Sequence, residues 1–118
     1  MAKNKNILIA IDNGIIALDV KKQLIDLGYD VEIISLANKD KINKALNRNF
    51  NLIILEKSLH SEGLENALGL AKKYNVPTIY LSSDIDTKEY HEMGLRILMM
   101  PFGERDLIEV VKMALGED

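Results

Sequence analysis

Short apolar runs alternate with stretches of helical period along the whole chain, and that alternation admits few folds. Ile7 to Ile11, Val31 to Ile34, Leu52 to Leu55, Thr78 to Leu81 and Arg96 to Met99 have the length and side chains of strands. Between them, apolar residues recur every three or four positions. Ile16, Val20, Leu24 and Leu27 make one helical face, Ile42, Ala45 and Leu46 a second, Leu64, Ala67, Leu68 and Ala71 a third, and Leu107, Val111, Ala114 and Leu115 a last. Asp86 to Met93 offers only Tyr90 and Met93 at helical spacing. Punctuation agrees with the period. Gly28 and Gly116 fall where left-handed helix caps belong, and Asn75 with Pro77 closes the third helix.

Strand, helix, strand repetition with short connections predicts a parallel sheet with right-handed crossovers. Ile7 to Ile11 and Leu52 to Leu55 are apolar at nearly every position, as strands covered on both faces are. The expected architecture is therefore a three-layer α/β sandwich around a five-stranded parallel sheet. With 118 residues, 47% hydrophobic and 28% charged, residues 1–118 fit one domain and leave no room for a second, DNA-binding module.

Composition also excludes several function classes. A formal net charge of -3 gives no basic footprint for nucleic acid. Cysteine is absent, which removes disulfides, thiolate chemistry and thiolate metal sites. His60 and His91 lie far apart without an i, i+4 partner and read as surface residues rather than a metal pair. Met1 to Asn6 is polar, and the apolar run after it is too short for a signal-peptide core or a membrane span. A soluble, cytoplasmic protein without membrane or nucleic-acid partners is expected.

In a parallel sheet all strands end at one edge, where open α/β folds place their ligands. Asp12, Glu56, Ser82 and Met100 meet at that edge although they are distant in sequence. Glu56, which ends the run Asn51 to Leu55, is the most informative of them. Taken locally, it is equally a solvated glutamate at a strand end. A flavin or nucleotide site would need a phosphate-cradling loop after the first strand, and Asp12, Asn13 and Gly14 form neither a G-x-G-x-x-G nor a P-loop. A hydrolase would need a nucleophile and base in reach, and the spacing of Ser58 or Ser82 with His60 supports no triad. No enzymatic activity is expected.

The sequence resembles the receiver domain of two-component response regulators over essentially its whole length. The resemblance rests on N-I-L-I-A-I-D-N-G at the first strand, A-L-D-V-K-K-Q-L-I-D-L-G-Y-D-V through the first helix, N-L-I-I-L-E at the third strand, V-P-T-I-Y-L-S-S at the fourth and M-M-P-F at the fifth. It implies the flavodoxin-like strand order 2-1-3-4-5. It also implies a family chemistry, in which an aspartate accepts a phosphoryl group with the help of magnesium and a partner surface then rearranges.

Carried across residue by residue, the resemblance implies a degenerate copy. Ile11 replaces the first of the family's acidic pair, and Asp12 retains the second. Glu56 stands at the phosphoacceptor aspartate, Ser82 retains the sensing hydroxyl, Met100 replaces the lysine before Pro101, and Ile97 replaces the aromatic switch residue. Magnesium takes one or two carboxylates at about 2.0–2.1 Å, so Asp12 and Glu56 offer at most a weak site. No other cofactor is implied. Glutamate is one methylene longer than aspartate, a displacement of about 1.5 Å. Misplacement on that scale costs on the order of a hundredfold in rate. Ile11 deletes a negative charge and Met100 a positive one, which predicts a packed, drier edge of roughly conserved charge.

Two roles for Glu56 follow: a permanently fixed scaffold, or a carboxylate imitating a phosphorylated aspartate. An unorthodox receiver using Asp12 and Glu56 for metal is the remaining alternative. The output surface implied by the resemblance comprises Tyr90, Ile97, Leu98, Met99, Phe102 and the helix from Glu104, with Met99 and Phe102 as either anchors or core. Its partner would be a signalling protein such as a histidine kinase or effector, or a second copy paired through the last strand and helix. A cis Met100–Pro101 bond is also implied.

Overall fold

The structure, a computed structural model, describes residues 5–35, 37–48, 50–56, 61–83, 88–92 and 94–117. His60, Ser58, Asp86 and Met93 lie outside those residues. Among the described residues ten elements alternate as the hydrophobic pattern requires: β1 (Asn6–Ala10), α1 (Gly14–Asp26), β2 (Asp30–Ile33), α2 (Lys39–Asn47), β3 (Leu52–Glu56), α3 (Ser61–Lys73), β4 (Thr78–Ser82), α4 (Lys88–Glu92), β5 (Arg96–Met99) and α5 (Glu104–Leu115). Strand ends differ from the expected ones by one residue. Ile11 and Ile34 fall just outside their strands while Glu56 and Ser82 close theirs, because backbone pairing rather than side-chain polarity sets where a strand stops.

All four strand pairs are parallel, and the order is β2-β1-β3-β4-β5. The expected three-layer α/β sandwich and its strand order are what the chain adopts. β1 and β3 lie in the middle, with Ile7 beside both Val31 and Leu52, and Ala10 beside Leu55. Side chains then alternate between two cores. Leu8, Ala10, Ile53, Leu55 and Tyr80 face Ile42, Ala45 and Leu46 of α2 and Leu64, Ala67 and Ala71 of α3. Ile7, Ile9, Leu52, Ile54, Ile79 and Leu81 face Ala17, Val20 and Leu24 of α1 and Leu107 and Val111 of α5.

Local chemistry ends the helices where the sequence indicates. Asn13 Oδ1 accepts from the amides of Ile15 and Ile16 at 3.1 and 3.3 Å, capping α1. Gly28 and Gly116 take φ values of 94° and 71°, and Asn75 adopts 57° after α3. The Tyr29 hydroxyl donates to Glu117 Oε1, tying the entry of β2 to the end of α5; burial and that carboxylate push the phenol up to about 12. The α1 face departs from expectation. Leu27 is 40% exposed and Ala17 takes an inward place, since the helix ends before Leu27 can turn toward the sheet.

Candidate functional site

The carboxyl edge of the sheet brings together the residues that the sequence placed there. β1 runs out of Ala10 into Ile11, which is 3% exposed and packed against the α1 and α5 side of the core, and then into exposed Asp12. Glu56 closes β3 beside Leu81, and Ser82 closes β4 beside Met99. The Met100 amide donates to the Ser82 carbonyl at 2.8 Å, fastening the end of β5 to β4. The Met100–Pro101 peptide is cis. Met100 and Phe102 are half-buried against the core that holds Ile11, while Pro101 is exposed.

Electrostatics at this edge centre on Glu56. Burial, and secondarily the negative charge of Asp12, raise its carboxyl above the ordinary glutamate range. Its Oε2 is shielded from solvent without a hydrogen-bond donor among the described residues. Asp12 and Glu56 are thus two acids at one edge, with the negative charge of the first acting on the second.

This geometry has a pH consequence. Folded Glu56 holds its proton more tightly than unfolded glutamate, so its contribution to stability is fully present below the ordinary glutamate pKa and is lost as pH rises through the raised value. Glu56→Gln is expected to raise the melting temperature at pH 7, with the gain fading as pH falls toward 4. Thermal melts of both proteins across that range measure it; a gain independent of pH would contradict the assignment.

The donor set bears on metal binding and catalysis. Among the described residues no three His, Asp or Glu side chains gather as a metal group. Asp12 and Glu56 are the two that could hold a hard cation, with the shielded Glu56 Oε2 as the oxygen short of a partner. Ser82 is 1% exposed at the end of β4. His91 is exposed on α4.

Toward β5 the expected surface separates into two classes. Met99 is 42% exposed, whereas Leu98 is 8% exposed and belongs to the core, since alternate strand residues face opposite ways. Ile97 is half-buried against the α2 and α3 side, and Tyr90 falls within α4. Sequence reasoning passed over Ile15, Leu18 and Ile25, which are 83%, 64% and 47% exposed on the outer side of α1. Their 3- and 7-residue spacing marks a second apolar stripe beside the inward one.

No protein-family model and no curated protein matches the sequence. Solved structures do match. The chain is similar to the chemotaxis protein CheY4 of Vibrio cholerae, at 22% identity and a TM-score of 0.80, covering 96% of this chain and 100% of that one. It is similar to a CheY-like response regulator receiver domain protein of Methanospirillum hungatei JF-1, at 26% identity and a TM-score of 0.78, covering 97% and 95%. A response regulator receiver protein of Burkholderia phymatum has a TM-score of 0.80 at 16% identity, covering 98% of each chain. The likeness is one of fold over nearly the full length of all three.

Proposed function

We propose that this chain is a receiver-type signalling domain that has lost phosphoryl transfer through the usual aspartate and acts by binding another protein. Residues 1–118 would form one such unit, without catalytic activity of its own. The observation that carries the reading is the carboxyl edge of the sheet, where a family with this fold does its chemistry. Glu56 ends β3 there with a shielded oxygen that has no partner among the described residues, Ile11 is buried in the core, and a half-buried Met100 precedes Pro101. Phosphoryl transfer depends on positioned charge. This edge has one acceptor-like carboxylate set too long, one neighbouring acid, and a thioether in place of a fixed cation.

Glu56 fits a fixed scaffold better than a phosphate imitation. Burial and Asp12 both favour its protonated form, so it presents at most a single charge and holds it reluctantly. The partner would be a protein of the same signalling system, met on the surface around Met99, Phe102, Tyr90 and α5 in a soluble, cytoplasmic setting. No described helix is long and apolar enough to cross a membrane. Incubation with magnesium and acetyl phosphate, followed by intact-mass spectrometry, tests the proposal. The mass is expected to stay unchanged; a gain of one phosphoryl group mapped to Glu56 or Asp12 would favour the unorthodox-receiver alternative.

A further inference from the structure

α1 is apolar on two sides, and only one of them is covered. Ala17, Val20 and Leu24 are buried against the sheet, while Ile15, Leu18 and Ile25 are 83%, 64% and 47% exposed. A helix that is apolar all round is normally buried all round. The exposed residues do not scatter. Ile15, Leu18, Lys22 and Ile25 follow a 3-4-3 spacing, which keeps them in one line along the 13-residue helix, with Asp19 and Asp26 flanking that line.

Charge along the line selects the occupant. α1 has no acidic residue in its first turn and no basic residue in its last, where it carries Asp26 instead. Both ends are thus mismatched to the helix dipole, which favours anions at the N-terminus and disfavours them at the C-terminus. We propose that the outer face of α1 pairs antiparallel with α1 of a second copy of this chain. A two-fold axis on the outer side of the helix, level with Val20 along its length, places Ile15 against the second copy's Ile25 and Leu18 against its Lys22 stem. It sets Lys22 beside the second copy's Asp19, and Asp26 beside the acid-free amino end of its α1. One arrangement covers the apolar stripe, pairs the flanking charges and corrects both ends, and it closes as a symmetric dimer. A parallel pairing would stack Asp26 on Asp26. The face lies on the layer of α1 and α5, whereas Ile97 and, by strand alternation, Met99 face the layer of α2 and α3, so the dimer leaves Met99 accessible.

Sedimentation equilibrium of the whole chain, from micromolar to millimolar concentration, tests the pairing. A single helix pair is a small contact, so the expected result is weak, concentration-dependent dimerisation. Leu18→Glu should weaken it at least tenfold without changing the melting temperature, because Leu18 is largely exposed in the monomer. Asp26→Asn should weaken it several-fold. A monomer at every concentration, association indifferent to Leu18→Glu, or association strengthened by Asp26→Asn would each overturn the proposal; the last would point to parallel helices.

Discussion

Ile11→Asp, which places an acid beside Asp12, is expected to destabilise the fold by about 3–5 kcal/mol at neutral pH. Ile11 is 3% exposed and belongs to the core cluster that holds Ile9, Ala17 and Leu81, so the substitution removes apolar burial and sets a charge into an apolar core. Asp12 and Glu56 repel that charge further. At roughly 4 °C per kcal/mol for a chain of this size, the melting temperature falls by about 12–20 °C. The introduced carboxyl would have a raised folded pKa, so the ionisation part of the loss should be complete above the raised value and shrink as pH falls from it toward the ordinary aspartate value. Thermal melts at pH 4 and 7 measure both parts. A loss under 1 kcal/mol at pH 7 would mean that the edge still accommodates an acid pair, contrary to its reading as packed structure.

The triple substitution Ile11→Asp, Glu56→Asp and Met100→Lys is expected to recover most of that stability and to gain covalent phosphorylation. The lysine supplies a counter-charge to the acids, and the shortened acceptor retreats by about 1.5 Å. Positioning and electrostatic stabilisation are each worth on the order of 10²-fold or more. Labelling by acetyl phosphate with magnesium should therefore rise by about 10²–10⁴ over the unaltered chain. Intact-mass spectrometry gives the yield. A triple variant that folds, binds magnesium and stays unlabelled would show that the silence has a source other than these three positions.

Much of the fold was legible because two periods, two for strands and 3.6 for helices, write themselves directly into residue order. β1 and β3 were placed by their nearly unbroken apolar runs, and Gly28, Asn75 and Gly116 by the turn chemistry they allow. What escaped was whatever depends on a distant partner. The bond between Tyr29 and Glu117 joins residues 88 apart and leaves no local trace. Leu27 and Leu98 show the same limit from two sides. Leu27 looked inward by spacing but lies beyond the end of α1, and Leu98 looked like surface by position but alternates into the core.

At the edge of the sheet the residue types could be read one by one, but the state of Glu56 could not. Counting one lost acid against one lost lysine suggested a drier edge of roughly conserved charge. Three-dimensional placement leaves Asp12 acting on a half-buried Glu56, whose second oxygen has no described donor. The α1 stripe was missed for a different reason. Ile16 and Leu24 already satisfied one helical face, and nothing local distinguishes which of two apolar stripes meets the sheet until the strands fix the rotation of the helix.

An amide NMR spectrum titrated first with magnesium and then with beryllofluoride, a phosphoryl mimic, tests the central claim most directly. A silent pocket predicts that resonances of Asp12, Glu56 and Ser82 stay in place, apart from small magnesium shifts confined to Asp12 and Glu56, and that β5 does not respond. Concerted shifts spreading from those three residues through Ile97 and Met99 would contradict it and show a switch that still works.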